Sequence, residues 1–97
     1  LANVPLFKGA HALASEGYCS GGSQRGRLAL GEEVSVADGL DEALVNMAYD
    51  AETSGGLLIA LAEADAAALE AALTDRGVLA VRVGSVTEAA HPAVQLA

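Results

Sequence analysis

Thr53-Ser54-Gly55-Gly56 places two hydroxyls and two adjacent glycines directly after the acids Asp50 and Glu52 and directly before the apolar run Leu57 to Leu61. Glycines at such a point let the backbone take φ > 0 or approach a ligand closely. Hydroxyls donate to a ligand or satisfy local backbone groups, and successive amides in a turn form a nest that holds an anion. Two readings stay open: an anion-admitting turn, or a tight lead-in to a strand capped by its own hydroxyls. The Walker spacing and its lysine are absent. A second segment, Gly21-Gly22-Ser23-Gln24-Arg25-Gly26-Arg27, carries two guanidiniums on glycine-rich chain. Arg25 and Arg27 would grip a phosphate through their planar donor forks; a solvated loop accounts for the composition as well. Asp50 and Glu52 have the types needed to hold magnesium or to move protons, although Asp50 reads better as a turn cap. His11, His91 and Cys19 lie far apart and match no metal-ligand spacing.

These residues need elements to hold them. Asn3 to Phe7 reads as a short extended segment limited to an edge by Pro5. Ala10 to Ala14 suggests a short helix stopped by Gly17, and Tyr18 to Gly31 reads as a loop. Glu33 to Ala37 alternates like a strand. Leu40, Ala43, Leu44 and Met47 share a helical face, with Asp41 and Glu42 in the first turn where the dipole favours acids. Gly56 to Ala62 has the length and apolar continuity of a buried strand. Glu63 to Arg76 reads as a helix ending at Gly77, and Val78 to Val86 as a second strand. The tail from Thr87, with Pro92 in it, reads as loosely held. Strand, helix and strand in succession imply an α/β (α+β) domain: a small mixed or antiparallel sheet with helices packed on it. One domain is expected over residues 1–97, with its core over about 3–88 and a tail over 89–97.

Composition limits the partners. Hydrophobic residues make up 53% of the 97, but aromatics are limited to Phe7, Tyr18 and Tyr49. The resulting small-residue core calls for a covering partner or second domain. The net charge of −8 argues against nucleic acid as a partner. The eleven acids between Leu28 and Asp75, unbroken by Lys or Arg, read mainly as a solvated surface. Cys19 is the lone cysteine, which fits a reducing compartment such as the cytoplasm. No apolar run reaches the roughly 18 residues of a membrane span, and no signal peptide is visible.

The segment DAETSGGLLIAL, Asp50 to Leu61, closely resembles the D-P-Q-T-S-G-G-L-L segment of selenophosphate synthetases, also called selenide, water dikinases. VPLFKGAHALASEG, Val4 to Gly17, is similar to their V-P-x-x-x-G-A-x-x-L-A-x-x-G segment. GGSQRGR, Gly21 to Arg27, is similar to their G-G-T-x-x-N loop. The helix from Glu63 and the following VLAVRVGSV resemble the family's last helix and its strand ending in I-G-x-V. The likeness runs from about Val4 to Glu88. Ala51 and Glu52 replace the motif's Pro and Gln, and Gly26 replaces its Asn.

The resemblance implies the C-terminal domain of an aminoimidazole ribonucleotide synthetase-like protein, truncated in front. It implies a parent that transfers phosphate from ATP to selenide with magnesium, releasing selenophosphate, AMP and phosphate. In that family an N-terminal domain forms the homodimer, and the C-terminal domain closes over the nucleotide. The family's nucleophilic Cys or selenocysteine, its partner Lys and its metal-binding aspartates have no counterpart segment here. No catalytic residue, metal ligand or bound cofactor is therefore expected in this piece, which should be inactive alone. Thr53, Ser54, Gly55 and Gly56 are expected to face the nucleotide cleft, and Arg25 and Arg27 to reach phosphate. The alternatives are a non-catalytic acidic binding or regulatory module of the same fold, or part of a sister ATP-dependent enzyme.

Overall fold

The computed structural model describes residues 1–52, 54–88 and 91–97. The elements run α1 (Ala10–Ser15), α2 (Gly21–Leu30), a 3-10 turn (Gly31–Glu33), β1 (Val34–Val36), α3 (Glu42–Ala48), α4 (Glu63–Thr74) and β2 (Val94–Leu96). The mixture of helices with a small sheet is the expected α/β class.

Local chemistry sets the helix ends. At α1, Gly17 takes φ 91°, its amide donates to the Ala14 carbonyl, and the Tyr18 amide donates to Leu13. At α4, Gly77 takes φ 69°, its amide donates to Thr74, and the Val78 amide donates to Leu73. Both are the same left-handed C-terminal motif, which satisfies carbonyls that a helix end would otherwise orphan. Asp41 starts α3: its Oδ1 accepts from the Ala43 and Leu44 amides at 2.9 and 3.2 Å. Glu63 and Asp65 occupy the first turn of α4, where the dipole favours them.

α1 and α2 both pack on α3, and the core sits at that junction. Ala43 and Val45 of α3 are buried there, beside Ser23 of α2. Burying Val45 completely contributes about 1.5 kcal/mol.

The glycine-rich segment after Tyr18 is a helix, not the expected loop. Ser20 supplies an N-cap, its Oγ accepting from the Ser23 amide at 3.2 Å. Interior glycines weaken a helix by about 1 kcal/mol each, and contacts to α3 offset that. At Gly26 the helix lies against the Tyr49 carbonyl at a distance that would put a Cβ in ordinary contact, 3.5 Å from that oxygen.

The sheet also differs from expectation. Its two described strands are parallel, with Val34 opposite Val94, Ser35 opposite Gln95 and Val36 opposite Leu96. The Ala37 amide extends the ladder to the Leu96 carbonyl at 2.9 Å. Part of the supposedly loose tail is thus held in the sheet. The two runs expected as strands, 56–62 and 78–86, belong to no ladder. Among the described residues, no backbone hydrogen bond is made within 56–61 or 79–86. An apolar run becomes a strand only when another strand takes up its amides and carbonyls, and here none does. Leu57 and Leu58 are accordingly 89% and 85% exposed.

Candidate functional site

The turn after Asp50 closes through the Gly55 amide, which donates to the Glu52 carbonyl at 3.2 Å. A Cβ on Gly55 would sit 2.6 Å from the Glu52 Cβ, so this position excludes any larger residue without a shift. Gly56 differs: nothing lies within 4 Å of its would-be Cβ. Ser54 is exposed in the turn, and Thr53 lies outside the described residues. Asp50, Glu52, Ser54, Gly55 and Gly56 are among the residues that line a broad open trough. Its apolar walls include Leu58, Ile59, Leu61, Leu79, Val81 and Val83.

The start of α2 is tied to this turn. Ser20 Oγ donates to Asp50 Oδ1 at 2.5 Å and accepts from the Ser23 amide. Ser23 Oγ lies 3.2 Å from Ser20 Oγ. The one donor of Ser20 is committed to Asp50, so Ser23 donates to Ser20, and both acceptor positions of Ser20 are filled. Asp50 Oδ1 also accepts from the Ala51 amide at 3.1 Å. The Ser20 hydroxyl, with that of Ser23 behind it, holds the Asp50 carboxyl below its ordinary range; the Ala51 amide adds less, and partial burial works against them. The glycine-rich segment and the T-S-G-G turn, recognised separately in the sequence, are therefore joined through Ser20 and Ser23. Ser20 was overlooked as a functional residue. Its signal was a Ser three residues ahead of Ser23, the offset of a helix N-cap.

The two arginines do not line the trough. Arg27 hydrogen-bonds Glu42, donates to Asn46 Oδ1 at 3.0 Å, and stacks its guanidinium 5.9 Å from the Tyr49 ring centre. It pins α2 to α3 and is held more firmly protonated by Glu42. Arg25 folds back along α2, with its Nη1 3.1 Å from where a Gly21 Cβ would stand. It makes no ion pair among the described residues.

The carboxylates do not fit a magnesium site. Oδ1 of Asp50 is engaged by Ser20 and Ala51. Among the described residues, no three His, Cys, Asp or Glu side chains gather as ligands would. Cys19 is free and exposed. His11 Nε2 meets Asp41 Oδ2 at 3.1 Å, and His91 Nδ1 lies 3.9 Å from Glu33 Oε2. These histidines tie pieces of the surface together rather than converging on one point. Asp41 titrates below its ordinary value, chiefly through the Leu44 amide and then through His11. No described helix is long and apolar enough to cross a membrane.

Residues 1–97 match the family described as AIR synthase related protein, C-terminal domain. Among curated relatives, the selenide, water dikinase of Nitratidesulfovibrio vulgaris is 35% identical over 98% of this chain and 27% of its own length. The selenide, water dikinase of Geobacter metallireducens is 37% identical over 97% of this chain and 27% of its own length. That of Pseudomonas straminea is 40% identical over 60% of this chain and 16% of its own length. The chain thus spans about a quarter of the length of the first two relatives. No solved structure matches it with significance. The likeness read from Val4 to Glu88 is borne out by these relatives.

Proposed function

Because the chain belongs to the AIR synthase related protein, C-terminal domain family, we propose that it forms the closing domain of a selenide, water dikinase. The parent makes selenophosphate from selenide and ATP, with magnesium, and releases AMP and phosphate. The observation that carries this is similarity over nearly the whole chain to two proteins bearing that name. Gly55 is explained inside the chain by Glu52, whereas the space beside Gly56 is open. In this reading, Ser54 and the glycine backbone face the nucleotide. Arg25, exposed on α2 outside the trough and without an ion partner among the described residues, is the arginine left to meet a phosphate, while Arg27 holds α2 in place.

In this reading magnesium and the nucleophile are supplied by the N-terminal domain of the same polypeptide. That domain also provides the homodimer contact. Free, exposed Cys19 accords with a cytoplasmic setting. The test is AMP formation from ATP by the full-length protein, with and without selenide. Selenide-dependent AMP is expected; ATP turnover indifferent to selenide would point to a sister enzyme of the family. In the same assay Arg25→Ala is expected to raise the KM for ATP, and an unchanged KM removes that residue from the site. The 97-residue piece alone is expected to show no tight, magnesium-dependent ATP binding by calorimetry. Such binding would overturn its assignment as an incomplete half-site.

A further inference from the structure

Asp50 opens the segment that leads into the glycine turn, and one of its two carboxylate oxygens is already engaged. Its Oδ1 takes the Ser20 hydroxyl at 2.5 Å and the Ala51 amide at 3.1 Å. Ser20 in turn caps α2 and is backed by Ser23, which is only 3% exposed. The chain of bonds runs from the turn through Asp50 and Ser20 into the buried junction of α2 with α3. A carboxylate that collects donors in this way is an acceptor with fixed orientation, not a free base. Each of its tasks here needs an oxygen acceptor, which an amide oxygen also offers, though more weakly than a charged carboxylate.

We propose that Asp50 is a positioning residue that locks the start of α2 to the turn ending in Gly55-Gly56, and that it neither ligates metal nor transfers protons. The inference rests on the proposed dikinase reading for its catalytic consequence, and on geometry alone for the lock. Its depressed titration agrees with a carboxylate held by hydroxyl donors. Without the lock, the start of α2 and the residues from Asp50 onward would be held together only through the packing of α2 on α3 and through Arg27 further along α2. A misplacement of about 1 Å at a substrate-facing turn is enough to slow turnover on the order of a hundredfold.

The test compares Asp50→Asn, Asp50→Ala, Ser20→Ala and the Ser20→Ala/Asp50→Ala double variant in the full-length protein. Asn keeps the acceptor oxygen and loses the charge. Asp50→Asn is expected to stay within about threefold of the parent kcat. Asp50→Ala and Ser20→Ala are each expected to lose roughly tenfold in kcat with little change in the KM for ATP. The double variant should be no worse than the poorer single, as for two groups acting through one bond. Half-saturating magnesium should not move. An Asp50→Asn as damaged as Asp50→Ala, a shifted magnesium requirement, or multiplying losses in the double variant would overturn the proposal. So would full activity in all four.

Amide hydrogen exchange at Ser23 and Ala51 gives an arm independent of activity. Protection should fall in Asp50→Ala and Ser20→Ala and persist in Asp50→Asn. If the full-length protein shows no selenide-dependent turnover, the dikinase reading fails while this arm still decides the lock. Unchanged protection in Ser20→Ala sinks the lock whatever the activity.

Discussion

Gly55 has no room for a side chain, because the Glu52 Cβ stands 2.6 Å from where its own Cβ would be. Gly55→Ala must shift the turn and is expected to destabilise the protein by about 1–3 kcal/mol, as overpacking does. Gly55→Val should do more harm and should also depress turnover in the full-length protein. Gly56→Ala meets nothing within 4 Å and is expected to leave stability within about 0.5 kcal/mol while still lowering activity. Chemical denaturation beside the selenide-dependent assay separates the two; equal stability losses at both positions would contradict this division. Sequence alone marked the glycine pair but could not tell one glycine from the other. The difference lies in the fold of the preceding acids, which spacing does not encode.

Acid is the second probe at this scale. Asp41 and Asp50 both titrate below the ordinary carboxylate value of about 3.9. A depressed folded-state pKa adds stability that is complete above the unfolded value and lost as pH falls through the folded one. The protein should therefore lose stability below about pH 3.9, and the Asp41→Asn/Asp50→Asn variant should show a flatter acid limb. Urea titrations between pH 5 and pH 2 check this; parallel limbs would show that neither carboxylate gains from folding.

At the scale of elements, the helices with conventional signals were legible. Gly17 and Gly77 marked the ends of α1 and α4, and Asp41 marked the start of α3. Gly77 holds φ 69°, a conformation costing a residue with a Cβ about 1–2 kcal/mol. Gly77→Ala should lower stability by that amount, whereas Asp75→Ala beside it, in right-handed helical geometry, should not. Thermal unfolding decides; a neutral Gly77→Ala would mean that the helix end is not held as described. α2 was misread because its glycines spoke for a loop, while its stabilising contacts, Ser20 to Asp50 and Arg27 to Asn46, span 30 and 19 residues. β2 is illegible for the same reason: its partner β1 lies on the far side of two helices in sequence, and Pro92 just ahead reads as part of a loosely held tail. The runs 56–62 and 78–86 have strand composition, but composition supplies no neighbouring backbone.

At the scale of the whole molecule, the helical junction is closed and the trough is open. The radius of gyration is 14.8 Å, against about 13 Å for a compact domain of this size. Large side chains such as Leu57, Leu58 and Leu79 stand 72% exposed or more, a pattern associated with surfaces that bind partners. Leu57→Ser and Leu58→Ser should leave the stability of the 97-residue piece within about 0.5 kcal/mol. In the full-length protein the same changes should destabilise by about 1.5–3 kcal/mol if those side chains are covered there. Equal effects in both contexts would mean that the face stays wet.

Arg82 spans the open side of α4, reaching Glu70 at 2.5 Å and Glu63 at 2.9 Å. With half of its side chain in water, this bridge is as much a property of the buffer as of the protein. Ions at about 0.1 M screen charges beyond roughly 10 Å and compete at shorter range for exposed pairs. Ionic strength thereby becomes a dial on how tightly the run 78–86 is tethered, and a freshwater-like and a brine-like medium would present two differently leashed versions of one wall.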